Sequence, residues 1–463
     1  MSKLKVYKFK DLYEMSSGIS TKPDQAGHGA PFLSFSTVFN NYFVPEFLPD
    51  LMDISQKEKE TYSIQEGDIF LTRTSETLNE LGMSCVAIKN FPESSFSGFL
   101  KRLRPKHDNI TYAKFMAFYL RSNLFRKTMT NNAIMTLRAS LNEQIFSYLD
   151  LILPEYEQQK KIGEVLFRLN QKIELNNRIN VELEQMAKTI YDYWFVQFDF
   201  PISAEYAASV GQSELEGKPY KSSGGKMVWI DELKREVPEG WEPGTFNSYC
   251  PSTGGFAFKS EWWTDKGVAV AKIKDIQEDY RLETSDLARV DISDKNIDEK
   301  FKSKPGDILI AMTGATVGKY AIVPITDYPI YVNQRVGYFN LGNNPCKRLP
   351  FLINSMNQSY FRNAIFTLAN GAAQPNISND QINNIPLLIP KAELISEFNR
   401  MFESYYKKLL INQSENQKLT ELRDWLLPML MNGQVKVGDL VDDGVMGMAA
   451  DEAGQYKSRW TWD

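Results

Sequence analysis

The stretch PGDILIAMTGATVGKYAIV, Pro305–Val323, sets two glycines, a threonine and a lysine between two apolar runs. Phosphate binding is the first chemistry such a composition raises. A P-loop has the form G-x-x-x-x-G-K-[ST]: its backbone N–H groups wrap the anion, its Lys meets the outer phosphates and its hydroxyl holds magnesium. Here Gly314 to Gly318 is one residue short, and Tyr320 stands where the hydroxyl belongs. Ala321-Ile322-Val323-Pro324 reads as a short strand, not the start of a helix. A nucleotide pocket is therefore excluded. Gly306-Asp307 instead predicts a tight turn into a buried strand, with Thr313 to Lys319 as the loop at that strand's end.

Other catalytic constellations are missing from the sequence. His28 and His107 lie far apart and without motif partners, and there is no Asn-Pro-Pro-[Tyr/Phe] motif, Walker pair or nuclease carboxylate–lysine set. Nor is there a Gly-rich fingerprint for S-adenosylmethionine. Cys85, Cys250 and Cys346 are isolated and odd in number, which fits a reducing cytosol and neither a disulfide framework nor a zinc site.

The elements that must carry any site come next. At 463 residues the chain suggests about two to four domains, and 43% hydrophobic with 24% charged residues is ordinary for a soluble protein. No apolar run is long enough to span a bilayer, and no signal-peptide pattern follows Met1. Most of the net charge of −5 sits in the tail, where Gly438–Asp463 holds six acidic and two basic residues. That tail is expected to be mobile. The body is near neutral, unlike a protein that grips nucleic acid alone through phosphates.

The chain is written twice. EGDIFLTRT (Glu66–Thr74) matches PGDILIAMT (Pro305–Thr313), and YLDLILP (Tyr148–Pro154) matches NIPLLIP (Asn384–Pro390). MSSGIS (Met15–Ser20) echoes PSTGGF (Pro251–Phe256). A period this long is a duplicated domain and not a solenoid unit of about 20–50 residues. Each copy has short β-type runs, a helical stretch (Tyr112–Arg126 and Pro350–Leu368), an apolar strand ending in Pro154 or Pro390, then a long amphipathic helix. The predicted boundaries are 1–155 and 241–391 for the globular domains, 156–198 and 392–435 for the helices, 199–240 for a Ser/Gly/Pro-rich linker, and 436–463 for the tail.

The two helices share a seam of four-three spacing. It is apolar at both ends and carries Asn176 and Asn180 in one helix, Asn412 and Asn416 in the other. Laid antiparallel, Asn176 faces Asn416 and Asn180 faces Asn412, a polar layer that penalises slipped registers where Asn would meet Leu. The alternative is that these asparagines line a solvated face. A pair of forty-residue helices, each roughly 60 Å long, would be a rod holding one domain near each end.

In this order and duplication, GDILIAMTGATVGK (Gly306–Lys319), VNQRVGYF (Val332–Phe339), NGAAQPNISNDQINNIPLLIP (Asn370–Pro390) and LPEYEQQKKIGEVL (Leu153–Leu166) resemble the specificity subunits of type I restriction-modification enzymes. The resemblance covers nearly the whole chain. It implies an α+β fold: two similar target-recognition domains, each followed by a long helix, the two helices pairing as an antiparallel coiled coil. It also implies a non-catalytic, cytoplasmic, prokaryotic DNA-binding subunit that reads a bipartite double-stranded target. Two modification (methyltransferase) subunits and restriction (motor/endonuclease) subunits would be its partners, with no membrane. On this reading the chain binds no cofactor, and S-adenosylmethionine, ATP and Mg belong to the partners. The first copy departs from the pattern, because Thr72–Gly82 lacks the TGATVGK form and Met135–Ser140 replaces AAQPNIS. A stand-alone DNA-binding regulator and a coiled-coil scaffold are the competing classes.

Base reading uses Arg or Lys for guanine and Asn or Gln for adenine, while phosphates take Lys, Arg and hydroxyls. Within the resemblance, the candidates in the second copy are Lys259, Lys272, Lys274, Thr313, Lys319, Asn333, Gln334, Arg335, Gln374 and Asn376. In the first copy they are Arg73, Arg138 and, from the basic run Lys101–Lys106, Lys101, Arg102 and Arg104. Alternation with Ala271 and Ile273 predicts that Lys272 and Lys274 emerge on one strand face. The bland reading of each is a solvated face, and for Asn376 the alternative is a cap on the turn before Ile377. Trp262 and Trp263 are expected to pack.

Overall fold

The computed structural model describes residues 4–20, 22–75, 81–132, 134–135, 139–140, 148–277, 280–369 and 375–431. Arg138, Gln374 and the acidic tail lie outside the described residues.

Each half begins and ends in one antiparallel ribbon. Lys5–Lys8 pairs with Asp150–Leu153, and Glu242–Thr245 pairs with Pro386–Ile389. Inside each ribbon sits a four-stranded sheet of the same order. In the first half it runs Tyr13–Ser17, Leu100–Pro105, Ile69–Thr72, Ser84–Val86; in the second, Ser252–Gly254, Val336–Phe339, Ile308–Ala311, Tyr320–Ile322. The registers agree as well: Ile69 faces Val86 and Leu103, and Ile308 faces Ile322 and Phe339. The internal duplication is thus a duplication of strand pairing.

The strands at the centre are buried at every position, and apolar but for Thr72, because both faces are covered. Side-chain alternation sends Ile69 and Leu71 into one core and Phe70 into another. Ile308 and Ile310 divide from Leu309 and Ala311 in the same way. Each strand is entered through a glycine in the left-handed region, Gly67 at φ 88° and Gly306 at φ 93°. A buried aspartate follows each glycine: Asp68 accepts from the Gln65 amide and Asp307 from the Lys304 amide, both at 2.8 Å.

Three sequence expectations are corrected here. The helical stretch of each copy is two helices, Ala113–Tyr119 with Asn123–Asn132, and Leu349–Met356 with Ser359–Ala369. In the first copy Ser122 makes the break, its Oγ accepting from the Phe125 amide. The segment 199–240 is ordered: it carries the helix Ala204–Ser209 and the hairpin Met227–Ile230/Arg235–Pro238. Phe200 lies between Tyr220 and Trp241 with ring centroids 4.6 and 5.5 Å away, and Asp199 binds both the amide and the hydroxyl of Ser222. Lastly, Lys272 and Lys274 do not emerge on one strand face, because the strand Val268–Ala271 ends before them in a 3₁₀ turn at Ile273–Asp275.

The long helices run Tyr156–Tyr191, continuing through a π-helical turn at Asp192–Val196, and Ala392–Met431. Asn176 Nδ2 donates to Asn416 Oδ1 and Asn412 Nδ2 donates to Asn180 Oδ1, both at 2.8 Å. One turn forward on the first helix is one turn back on the second, so the pair is antiparallel. Asn176 and Asn412 are fully buried. Glu415 and Asn177 extend the polar layer by accepting from Asn176 and Asn416. The solvated-face alternative is excluded for Asn176, Asn180 and Asn412, which are buried, while Asn416 is half-buried.

The chain divides into two compact units, Met1–Ile173 with the second helix from Lys418, and Glu174–Gln417. In the first unit, Leu419, Leu426, Leu427 and Leu430 share a core with Ile162, Leu166 and Leu151. In the second, Ala187, Tyr191 and Trp194 share one with Phe398, Phe402 and Leu409. No helix among the described residues is long and apolar enough to cross a membrane.

Candidate nucleic-acid interface

In the second half, two parallel strands, Val268–Ala271 and Ile330–Val332, end at the same side. The chain leaves them as Lys272 and as the turn Asn333-Gln334-Arg335. Backbone bonds fix this turn: Asn333 N to Ala271 O, Gln334 N to Phe256 O, and Met312 N to Arg335 O. Asn333 Oδ1 accepts from the Arg335 amide at 3.2 Å, so Asn333 holds the turn. Gln334 and Arg335 are exposed at its tip. Thr313 and Asn376 join the same edge by a strand-like bridge.

The first half repeats this turn bond for bond with different side chains. Ser97 N donates to Leu33 O, Gly98 N to Ile19 O, and Arg73 N to Phe99 O. Ser97 Oγ accepts from the Phe99 amide, as Asn333 does from Arg335. In both halves the following residue, Leu100 or Val336, bonds the carbonyl of the turn's first residue at 2.9 Å. A glycine allows the close approach in each: a Cβ on Gly18 would lie 2.3 Å from Ser97 O, and one on Gly255 2.3 Å from Val332 O. Arg73 is exposed beside this turn.

The glycine loop closes the hairpin between Ile308–Ala311 and Tyr320–Ile322. Four of its amides are in use: Gly314 donates to Pro375 O, Val317 to Gly314 O, Gly318 to Ala311 O and Lys319 to Thr316 O. They cannot wrap an anion. A cavity of about 500 Å³ lies between this loop and the helix Ser359–Ala369, walled by Tyr280, Tyr320, Phe361 and Phe366 with Lys319 and Arg362.

Lys272 and Lys274 do not share a strand face. The strand stops at Ala271 because the Lys272 amide is taken by Asp275 Oδ2 at 2.8 Å, which starts a 3₁₀ turn at Ile273–Asp275. Lys272 Nζ lies 3.5 Å from the centroid of the Trp263 ring, a cation–π contact, and burial lowers its pKa. Lys274 is exposed and faces Asp286 at 3.6 Å and Asp275 at 3.9 Å. Lys259 is exposed, and its amine lies 5.8 Å from the Trp262 ring centroid. Trp262 and Trp263 pack against Phe258, Val270 and Tyr331.

The basic run of the first half is largely structural. Arg104 grips the fully buried Asp68 with two bonds of 2.7 Å, and that hydrogen bonding raises the guanidinium pKa. Arg102 is only 9% exposed and donates to Ser63 O; burial lowers its pKa. Lys101 Nζ donates to Ser17 Oγ and Lys106 Nζ to Lys10 O. The clue available in the sequence was the repeated Gly-Asp. An aspartate buried at the start of an apolar strand needs a partner, and in the second half Tyr338 supplies one, its hydroxyl donating to Asp307 Oδ2 at 2.8 Å. Sequence reasoning also missed Phe99, which carries no charge or donor to mark it.

Two halves with one strand order, one edge turn and a registered antiparallel helix pair define a duplicated recognition scaffold. Residues 1–185 and 238–421 match the family model described as type I restriction modification DNA specificity domain, and the chain belongs to that family. It is 28% identical over 484 residues to the type I restriction enzyme HindI specificity subunit of Haemophilus influenzae, covering 94% of this chain and 100% of that one. It is 22% identical to the MjaIX specificity subunit of Methanocaldococcus jannaschii, covering 94% of each. The crystal structure of the type I restriction-modification system S subunit from M. genitalium shares the fold, with a TM-score of 0.55 at 13% identity over 93% of this chain and 96% of that one.

Proposed function

We propose that this chain is the non-catalytic DNA-reading subunit of a type I restriction-modification enzyme, each globular half reading one part of a bipartite double-stranded target. The observation that carries the reading is the edge turn built twice by the same backbone bonds and tipped with different residues, Ser97-Gly98-Phe99 and Asn333-Gln334-Arg335. One scaffold presenting two sets of side chains suits a target of two unlike halves. Arg73, Gln334 and Arg335 are the exposed side chains best placed for base edges or phosphates, and Lys259, Lys272 and Lys319 stand in support. The helix pair offers the docking surface for two modification subunits and for restriction subunits. Those partners supply S-adenosylmethionine, ATP, Mg and the chemistry.

A gel shift on duplex DNA, with and without the methyltransferase partner, tests this. Binding only with the partner supports the reading, because a near-neutral body has little phosphate attraction of its own. Tight binding by the chain alone indicates a regulator, and no binding in either condition indicates a scaffold.

A further inference from the structure

The first half's edge turn lacks the groups that usually read bases. Ser97 is only 8% exposed, its Oγ accepting from the Phe99 amide, and Gly98 has no side chain. What the turn presents is Phe99, 64% exposed, with the exposed Arg73 just past the end of the neighbouring strand and the half-buried Lys101 two residues on. A single exposed aromatic is unremarkable by itself. Its position gives it meaning, since the residue at the same place in the second half is Arg335, held by the same backbone bond to the neighbouring strand. An apolar ring on a turn pinned by four backbone bonds, one of them from the Arg73 amide, is pre-organised at low entropic cost.

We propose that Phe99 makes an apolar contact with the bases of the half-site read by the first domain, so that this half is read by ring contact where the other is read by hydrogen bonds. The proposal rests on the DNA-reading function proposed above. Such a contact takes one of two forms, a ring wedged at a base step or a ring against a thymine methyl group. Arg73 then anchors the adjoining phosphate. In either form the contact adds affinity and sequence preference without releasing counterions, so it leaves the salt dependence untouched.

The test uses the complex assembled with its methyltransferase partner, on the duplex mapped as its methylation site. Phe99→Ala is expected to weaken binding by about ten- to hundredfold, the scale of losing one base–aromatic contact, with an unchanged slope against salt. Phe99→Leu should recover part of the loss. Phe47→Ala, which removes another exposed phenylalanine of the same domain (83% exposed), should bind as the parent does. A 2-aminopurine probe in the first half-site brightens on binding if the ring is a wedge; replacing thymine by deoxyuridine weakens binding if the ring meets a methyl group. Unchanged affinity and unchanged half-site preference in Phe99→Ala overturn the proposal while the parent complex still binds. A parent complex that binds no DNA overturns the underlying function instead.

Discussion

Asn412 donates its side-chain amide to Asn180 across the helix pair, and one turn away Asn176 does the same to Asn416. Both donors are fully buried, so each pair is worth most as a penalty on every other alignment. Replacing Asn412 alone by Leu strands the Asn180 carbonyl, and the expected cost is about 1–3 kcal/mol in thermal or denaturant unfolding. Replacing all four asparagines by Leu should restore or exceed the parent stability while broadening the species seen by size-exclusion chromatography.

If the helix pair sets the distance between half-sites, its length can be edited. Four residues inserted at matched points in both helices add about 6 Å at 1.5 Å per residue. With DNA rising about 3.4 Å per base pair, the gap in the methylated sequence should widen by one or two base pairs. An insertion in one helix only displaces Asn176 and Asn180 from Asn416 and Asn412, and poor folding is expected. An unchanged gap in an active double insertion would show that the helices do not set the spacing.

On the proposed function, Arg104 and Arg335 separate a structural cation from one that contacts DNA. Arg104→Gln leaves Asp68 buried without its ion pair, at a cost of roughly 3 kcal/mol, the low end for a broken buried pair because Arg104 is itself partly exposed. The folded fraction of that variant should bind DNA with the parent's salt slope. Arg335→Ala should unfold as the parent does and bind more weakly. If it meets phosphate, the slope of log affinity against log salt drops by roughly 0.9; if it meets a guanine, preference relaxes in one half-site only.

The thiols report on the integrity of the second half. Burial pushes Cys250 up from about 9 to about 11 and Cys346 to about 12. Little thiolate exists at pH 8, so neither should react with a disulfide reagent until the protein is unfolded. The linkage has a definite sign. The folded state keeps these protons after the unfolded chain has released them, so their contribution to stability is whole below pH 9 and is lost as pH rises through about 11 for Cys250 and about 12 for Cys346. A denaturation midpoint that rose between pH 9 and 11 would contradict the buried placement.

What could be read from the sequence was whatever repeats over a short distance or recurs between the halves. The Ile-Phe-Leu and Ile-Leu-Ile strands, the Gly-Asp turns and the paired asparagines all fall in this group. What could not be read depended on partners far along the chain. Arg104 looked like part of a basic surface because Asp68 is 36 residues away. Lys272 looked like a strand residue because a single carboxylate, Asp275, overrides the local alternation. The segment 199–240 looked like a linker because its order comes from Phe200, Tyr220 and Trp241 stacking across some forty residues. Phe99 was silent because exposure, not residue type, singles it out.

The hydrophobic core of the first half is closed by Leu419, Leu426, Leu427 and Leu430, residues from the far end of the second long helix. During synthesis the first half leaves the ribosome before the second, yet that side of its core stays open until the second long helix has been made. Loop closure over such a separation is slow, and the waiting domain exposes Ile162 and Leu166 meanwhile. Production of this chain should therefore depend on holding chaperones or on early capture by its assembly partners, and truncation after Gln417 should harm the half of the molecule made first.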